Sequence, residues 1–133
     1  MSNQTPDLRP KSVTQAIEGM TLSLNSDEAK DLNATIQFHV SGQDGGDYYL
    51  SIADSQCQFT SGMVLDPTLT ISTPADVWLK IARKEMNGAV ALMSRKYKAS
   101  GKLGLLLKMD KLFSRQPTEA ELDAKGWLDK ENM

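Results

Sequence analysis

Apolar side chains recur every three or four positions near the start of the chain and every second position after it. The set Val13, Ala16, Ile17 and Met20 follows the helical spacing, so a helix is predicted from Lys11 onwards. Further along, the spacing becomes two, which predicts strands with one covered and one hydrated face. Five strands are predicted: residues 35–41, residues 47–53, and the stretches around Cys57 and Phe59, around Leu69 and Ile71, and around Tyr97 and Ala99.

Turn and cap residues separate these elements. The segment SGQDGGD between the first two strands is typical of a hairpin, because glycine tolerates positive φ angles. Helical spacing returns after the fourth strand, where Thr73 is the predicted N-cap and Pro74 the first helical residue. The later predicted helices cover residues 88–93, residues 102–113, and a segment with a Thr118 and Glu121 capping box that ends by Gly126.

The order of elements predicts an α+β fold. Helices are grouped rather than placed between every pair of strands, so we expect a five-stranded, mostly antiparallel sheet with one face covered by helices. Gln37 and His39 are predicted on its hydrated face.

Three regions are predicted along the chain. Residues 1–9 lack a periodic pattern and are expected to be a flexible arm, residues 10–116 a single domain, and residues 117–133 a helical extension. In the extension, Trp127 and Leu128 are expected either to fold over the domain's ligand site or to pack on the domain.

The predicted helix over residues 102–113 carries more apolar surface than a small domain needs to cover a core. One arc of its helical wheel holds Leu105, Leu106, Met109, Leu112 and Phe113. A second arc, beyond Asp110, holds Leu103 and Leu107. Either both arcs are buried in the protein, or the second arc contacts a ligand.

Composition and charge narrow the classes of function. With 15 basic and 17 acidic side chains and a net charge of −2, the chain lacks the general excess of Lys and Arg that nucleic-acid binding uses. No apolar run approaches the roughly 18 to 20 residues of a membrane span, and the N-terminus is polar, so a cytoplasmic protein is expected. Cys57 is the single cysteine and is expected to be an inward-facing structural thiol.

The residue pattern does not indicate catalysis. His39 is the single histidine and is predicted to be exposed, and zinc-ligand spacing, a Walker loop and a dinucleotide fingerprint are all missing from the sequence. We therefore expect neither enzymatic activity nor a cofactor. Basic residues at 80–84 and 95–98 are either a solvated face or a contact for a carboxylate, a phosphate or a membrane surface.

Three segments together resemble the sterol carrier protein family, specifically its lipid-transfer domain. In order, they are IQFHVSGQDGGDYYLSI, DPTLTISTPADVWLKIA and MNGAVALMSRKYKASGKLGLLLKMDKLF. The resemblance implies a five-stranded sheet and helices that enclose an apolar tunnel for a fatty acid, fatty acyl-CoA, sterol or phospholipid. It also implies that no catalytic residue is required.

We therefore expect a non-enzymatic lipid carrier. The alternatives are an interaction module whose cavity has filled in, and an accessory domain that presents lipid to a partner enzyme. The candidate lipid-binding residues are Phe38, Val40, Leu50, Ile52, Trp78, Ile81, Met86, Val90, Met93, Leu103, Leu106, Leu107, Met109, Asp110 and Phe113.

Overall fold

The computed structural model describes residues 7–128, which form five strands and six helices. The strands are β1 (Ala34–Ser41), β2 (Gly46–Ala53), β3 (Gln56–Ser61), β4 (Leu69–Pro74) and β5 (Lys98–Gly101). The helices are α1 (Val13–Gly19), α2 (Ala75–Ala82), α3 (Gly88–Met93), α4 (Leu103–Leu107), α5 (Met109–Leu112) and α6 (Glu119–Ala124).

The strands form a single sheet in the order β3-β2-β1-β4-β5, which confirms the predicted five-stranded α+β fold. Three neighbouring pairs are antiparallel, but β1 and β4 are parallel, so the sheet is mixed. The sheet is thus mostly antiparallel, as predicted, and the pairing of β4 with β1 is the exception. The reason is the connection over residues 62–68, which returns the chain to the end of the sheet where β1 begins, so that Thr68 N donates to Thr35 O at 2.9 Å.

The apolar face of the sheet forms the core. Alternate residues of the three central strands are buried there, namely Ile36, Phe38, Val40, Leu50, Ile52, Leu69 and Ile71. The core also contains Val13 and Ile17 of α1, Trp78 of α2 and Ala91 of α3. The helices therefore cover the face that the period-two pattern predicts as apolar.

The opposite face is not hydrated everywhere, which corrects the prediction for Gln37. This side chain is 1% exposed because residues 62–64 of the β3–β4 connection cover it. Its Nε2 donates to Tyr48 O and Gly62 O, each at 3.0 Å, and its Oε1 accepts from Val64 N at 2.8 Å. His39, by contrast, is half-exposed, and its Nδ1 lies 2.7 Å from Asp47 Oδ1.

Two helices begin with side-chain caps, and the second cap is the predicted one. Ser12 Oγ accepts from Gln15 N at 3.1 Å before α1. Thr118 and Glu121 form both bonds of a capping box before α6. The cap predicted at Thr73 is wrong, because β4 continues through Pro74, the residue that occupies the N-cap position of α2.

The predicted helix over residues 102–113 is two shorter helices, α4 and α5. Lys108 N donates to Leu105 O at 3.0 Å, a tight i to i−3 bond that closes α4. Leu112 N then donates to Lys108 O at 2.9 Å, within the next helix. A continuous wheel therefore overstates how regularly this segment presents its side chains.

Both ends of the described chain lie against the domain. Residues 1–6 of the predicted arm lie outside the described residues, but Arg9 Nη1 reaches Glu85 Oε2 at 3.4 Å, and Arg83 Nη1 donates to Pro10 O at 2.7 Å. In the predicted extension, a Cβ built on Gly19 would lie 3.7 Å from Cζ3 of Trp127. Trp127 thus packs beside α1, and residues 129–133 lie outside the described part.

Within residues 7–128, none of the helices has the length and apolar character that a membrane crossing needs.

Candidate functional site

The structure divides the fifteen predicted site residues into three groups by exposure. The buried group is Phe38, Val40, Leu50, Ile52 and Trp78. The half-buried group is Ile81, Met86, Leu106, Met109 and Phe113. The exposed group is Val90, Met93, Leu103, Leu107 and Asp110.

The buried group belongs to the packed core between sheet and helices. The Phe38 ring meets the Trp78 indole edge-on, with centroids 5.2 Å apart. Trp78 makes a second edge-on contact with Tyr97, at 5.7 Å between centroids. Protein side chains therefore already cover the sheet face that was expected to form one wall of a tunnel.

Tyr97 is a core residue that the list of candidates omits. Its alternation with Lys96 and Lys98 could have indicated its burial. In a predicted strand, an aromatic side chain between two lysines lies on the face opposite to them. Burial, and secondarily the negative charge of Asp110, raise the pKa of the Tyr97 hydroxyl. Asp110 on α5 thus lies close enough to act electrostatically on the aromatic cluster, although its own side chain is exposed.

Exposure of apolar side chains is graded along α4 and α5. Leu105 and Leu112 are buried in the core. Leu106, Met109 and Phe113 are half-buried and pack against it. Leu103 and Leu107 are 50% and 83% exposed, so residues 7–128 leave most of the second arc of the leucine-rich segment uncovered.

Helix α3 repeats this arrangement on a smaller scale. Asn87 caps it by accepting from Val90 N at 3.0 Å, and Ala91 is fully buried. Val90 and Met93 are exposed. Helix α3 lies beside α2, since a Cβ on Gly88 would make an ordinary contact of 3.5 Å with Cγ2 of Ile81.

Two depressions on residues 7–128 lie outside this region. One, of about 440 Å³, is lined by polar and basic side chains near the ends of β1, β4 and β5, including His39, Ser72, Arg95 and Lys98. The other, of about 330 Å³, is lined by residues of β3 and of the loops near Leu24 and Arg115. A tunnel between sheet and helices stays a prediction.

Cys57 lines the smaller depression but has little thiolate character. Burial raises the pKa of its thiol to about 12. Since the thiolate is the nucleophile, Cys57 remains a structural residue, as its place in the alternation of β3 predicts.

Within residues 7–128, no three His, Cys, Asp or Glu side chains are grouped so that they could hold a metal ion.

Comparison with known proteins identifies a family. The family model described as the SCP-2 sterol transfer family matches residues 15–114. Hydroxysteroid dehydrogenase-like protein 2 of Bos taurus is 28% identical over 111 residues, which are 83% of this chain and 27% of that protein. The chain therefore spans about a quarter of the length of such relatives.

Solved structures show the same fold in two settings. The solution NMR structure of palmitated SCP2L2 from Aedes aegypti matches with a TM-score of 0.63 and 16% identity, covering 80% of this chain and 96% of that one. The stereoselective inverting sec-alkylsulfatase Pisa1 from Pseudomonas sp. matches with a TM-score of 0.64 and 16% identity, covering 74% of this chain and 16% of that one. The fold thus occurs both as nearly a whole chain and as a small part of a larger one.

Proposed function

Because the chain belongs to the SCP-2 sterol transfer family, we propose that it is a non-enzymatic carrier that binds one long-chain lipid reversibly. The alkyl chain is proposed to lie against the helix side of the core rather than on the sheet itself. Its walls would be the half-buried Leu106, Met109 and Phe113, with Ile81 and Met86 beyond them.

The observation that carries this proposal is the graded exposure of α4 and α5. A helix pair that serves only the core would bury its large apolar side chains, whereas Leu103 and Leu107 remain in water. An alkyl chain placed over the half-buried residues would extend apolar contact from Leu106 towards Leu107, and it would remove apolar surface from water.

The expected affinity suits a carrier. Burying a sixteen-carbon chain at about 0.8 kcal/mol per methylene gives a gross gain of roughly 12 kcal/mol. Losses of translational, rotational and side-chain freedom cost about 4–15 kcal/mol. The difference is compatible with dissociation constants near micromolar, which allow release as well as uptake.

A direct experiment combines native mass spectrometry with titration of a fluorescent C18 fatty acid. Gently purified protein is expected to carry co-purified lipid, and the delipidated chain is expected to bind the probe near the micromolar range. Leu106→Trp fills the proposed site and should weaken binding at least about tenfold. Leu32→Trp is the matched control, since Leu32 is also half-buried against the core but precedes β1. A lipid-free mass together with no probe binding by the unsubstituted chain would overturn the carrier.

A second candidate is an accessory domain that works with an enzyme. It is favoured by the 27% and 16% shares that the similar segments occupy in longer chains named as dehydrogenase-like and sulfatase proteins. In that case, lipid turnover by a partner enzyme would require this chain and would stop with Leu106→Trp. If the domain is instead an interaction module with a filled cavity, it would not bind the probe, and Leu106→Trp would not change its effect on the partner enzyme.

A further inference from the structure

Charge is divided very unevenly along the chain. Residues 80–111 contain nine Lys and Arg but only two acidic residues, Glu85 and Asp110, so this segment carries a net charge of +7. The remaining residues carry a net charge of −9. The overall charge of −2 conceals this separation.

Most cations of the segment have no carboxylate partner among the described residues. Arg83 pairs with Glu85 and lies 3.9 Å from Asp7. The other eight are exposed, and among residues 7–128 none of them has a carboxylate oxygen within 4.0 Å. These eight are Lys80, Lys84, Arg95, Lys96, Lys98, Lys102, Lys108 and Lys111. Outside the segment, Arg9, Arg115 and Lys125 each pair with a carboxylate.

The free cations and the exposed apolar side chains lie on the segments that precede, form and follow the edge strand β5. Strand β5 is an edge strand, with α3 before it and α4 after it. Lys96 N donates to Ala91 O at 2.8 Å and closes the turn after α3, and Lys102 N donates to Thr68 O at 2.8 Å, which holds the start of α4 beside the start of β4. Strand β5 has four residues and spans about 10 Å, and residues 94–97 join α3 to it.

We propose that this edge, called here the β5 edge, docks on an anionic phospholipid membrane. It consists of Val90 and Met93 of α3, Leu103 and Leu107 of α4, and the basic residues next to or within β5, namely Arg95, Lys96, Lys98 and Lys102. Exposed Leu and Met side chains suit the acyl boundary of a bilayer, while free Lys and Arg side chains suit its phosphate groups. The combination is specific, because a nucleic acid offers the phosphates without an apolar layer.

This proposal assigns a partner surface that lipid binding does not itself require. A carrier that docks through the β5 edge would bring the half-buried residues of α4 and α5 next to the bilayer from which it loads. Membrane docking and lipid binding can nevertheless be tested separately. The basic side chains that would contact the membrane are not among the proposed walls of the lipid site.

Co-sedimentation with large unilamellar vesicles tests the docking surface. The chain should bind vesicles of phosphatidylcholine containing phosphatidylserine, should bind pure phosphatidylcholine vesicles much more weakly, and should lose binding at high salt. Equal binding to neutral and anionic vesicles, or no binding to either, would overturn the proposal.

Charge-reversal variants locate the surface. Lys96→Glu with Lys102→Glu should weaken binding to anionic vesicles at least about 30-fold, since each basic residue near such a surface contributes about fivefold. Lys30→Glu with Lys125→Glu produces the same change in net charge away from the β5 edge and should have much less effect. Equal losses in the two double variants would show a general charge effect and would refute the assigned surface.

Apolar variants test the second component. Met93→Ser with Leu107→Ser should weaken vesicle binding about tenfold. Met63→Ser with Leu65→Ser is the matched control, since Met63 and Leu65 are 67% and 87% exposed in the β3–β4 connection and Met93 and Leu107 are each 83% exposed. The unsubstituted chain could instead form a dimer that Met93→Ser with Leu107→Ser dissociates, and show no vesicle binding. In that case, the β5 edge is a self-association surface and membrane docking is wrong.

The fluorescent fatty-acid titration separates this proposal from the carrier. Lys96→Glu with Lys102→Glu should keep the probe affinity of the unsubstituted chain in vesicle-free solution. A chain that binds anionic vesicles but no fatty acid would overturn the carrier and leave the docking surface standing. The reverse result would overturn only the docking surface.

Discussion

The indole of Trp78 stands edge-on to the ring of Phe38, with their centroids 5.2 Å apart and their planes at 63°. Phe38 lies on β1 and Trp78 on α2, so the contact joins the centre of the sheet to the helix that follows β4. Both side chains are buried. The contact therefore couples the packing of the two layers.

We expect Phe38→Ala to lower the free energy of unfolding by about 3–5 kcal/mol, because it leaves a cavity between sheet and helix. Urea denaturation followed by Trp78 fluorescence measures the loss. Phe59→Ala is the control, since Phe59 stacks on Tyr48 but is half-buried on β3. An equal loss from both substitutions would contradict a core centred on the Phe38–Trp78 contact.

Gln37 is expected to be the polar residue on which the β3–β4 connection depends. Gln37→Leu removes the partners of Tyr48 O, Gly62 O and Val64 N, and each buried backbone group left unpaired costs about 1–3 kcal/mol. The free energy of unfolding should fall by more than about 2 kcal/mol, and the Val64 amide should exchange its hydrogen faster. Gln58→Leu, at an exposed position of β3, should change stability by less than about 0.5 kcal/mol.

Helix α6 should lose stability in acid. The Arg115 guanidinium, and then the Thr118 backbone N–H, hydrogen-bond to Glu121 and hold the pKa of its carboxyl below the ordinary value of 4.5. Because the folded pKa is the lower one, the stabilisation is present above pH 4.5 and is lost as the pH falls through the folded pKa. Hydrogen exchange at Leu122 should accelerate over that range.

Two substitutions check the assignment to Glu121. Glu121→Gln should remove the acid-dependent step in Leu122 exchange, whereas Glu119→Gln in the same first turn should preserve it. An unchanged step in Glu121→Gln would place its origin elsewhere.

Most elements could be predicted because their residues repeat at a local period. Residues 88–93 are helical as predicted, since Asn87 and Gly88 set the start and the short apolar run sets the length. The alternation from Ile36 to Val40 likewise predicts which side chains of β1 enter the core. Local spacing alone is enough for these features.

The errors arise where distant segments decide the outcome. Alternation assigns Gln37 to the polar face, but it does not show that residues 62–64 will cover that face. The parallel pairing of β1 with β4 depends on the same connection. For Thr73, pairing with Val40 extends the strand past the local cap signal.

The sequence indicates which apolar residues belong to the candidate site better than it indicates how they are arranged in space. Leu103 and Leu107 are exposed, as the second arc of the leucine-rich segment requires if it contacts a ligand. The burial of Phe38 and Leu50 beneath helices depends on how closely the two layers approach, which a helical wheel does not contain. The division into buried, half-buried and exposed groups therefore needed coordinates.

Two glycines three residues apart should respond to alanine in opposite directions. Gly101 ends β5 with φ at 99°, and a Cβ there would lie 2.6 Å from Thr68 O. Gly101→Ala therefore strains the backbone and pushes β5 from β4, and we expect a clear loss of thermal stability. Gly104 lies in α4 with no atom within 4 Å of an added Cβ. Gly104→Ala should raise the free energy of unfolding by up to about 1 kcal/mol, since alanine is the better helix former.

The same pair tests whether α4 must be held at the β5 edge for vesicle binding. Gly101→Ala moves the strand that joins α3 to α4, so its affinity for anionic vesicles should fall even below the melting transition. Gly104→Ala stiffens the helix without adding a contact, and it should bind vesicles at least as well as the unsubstituted chain. If folded Gly101→Ala binds vesicles normally, then the docking residues act independently of the edge strand, and the geometric part of the proposal is wrong.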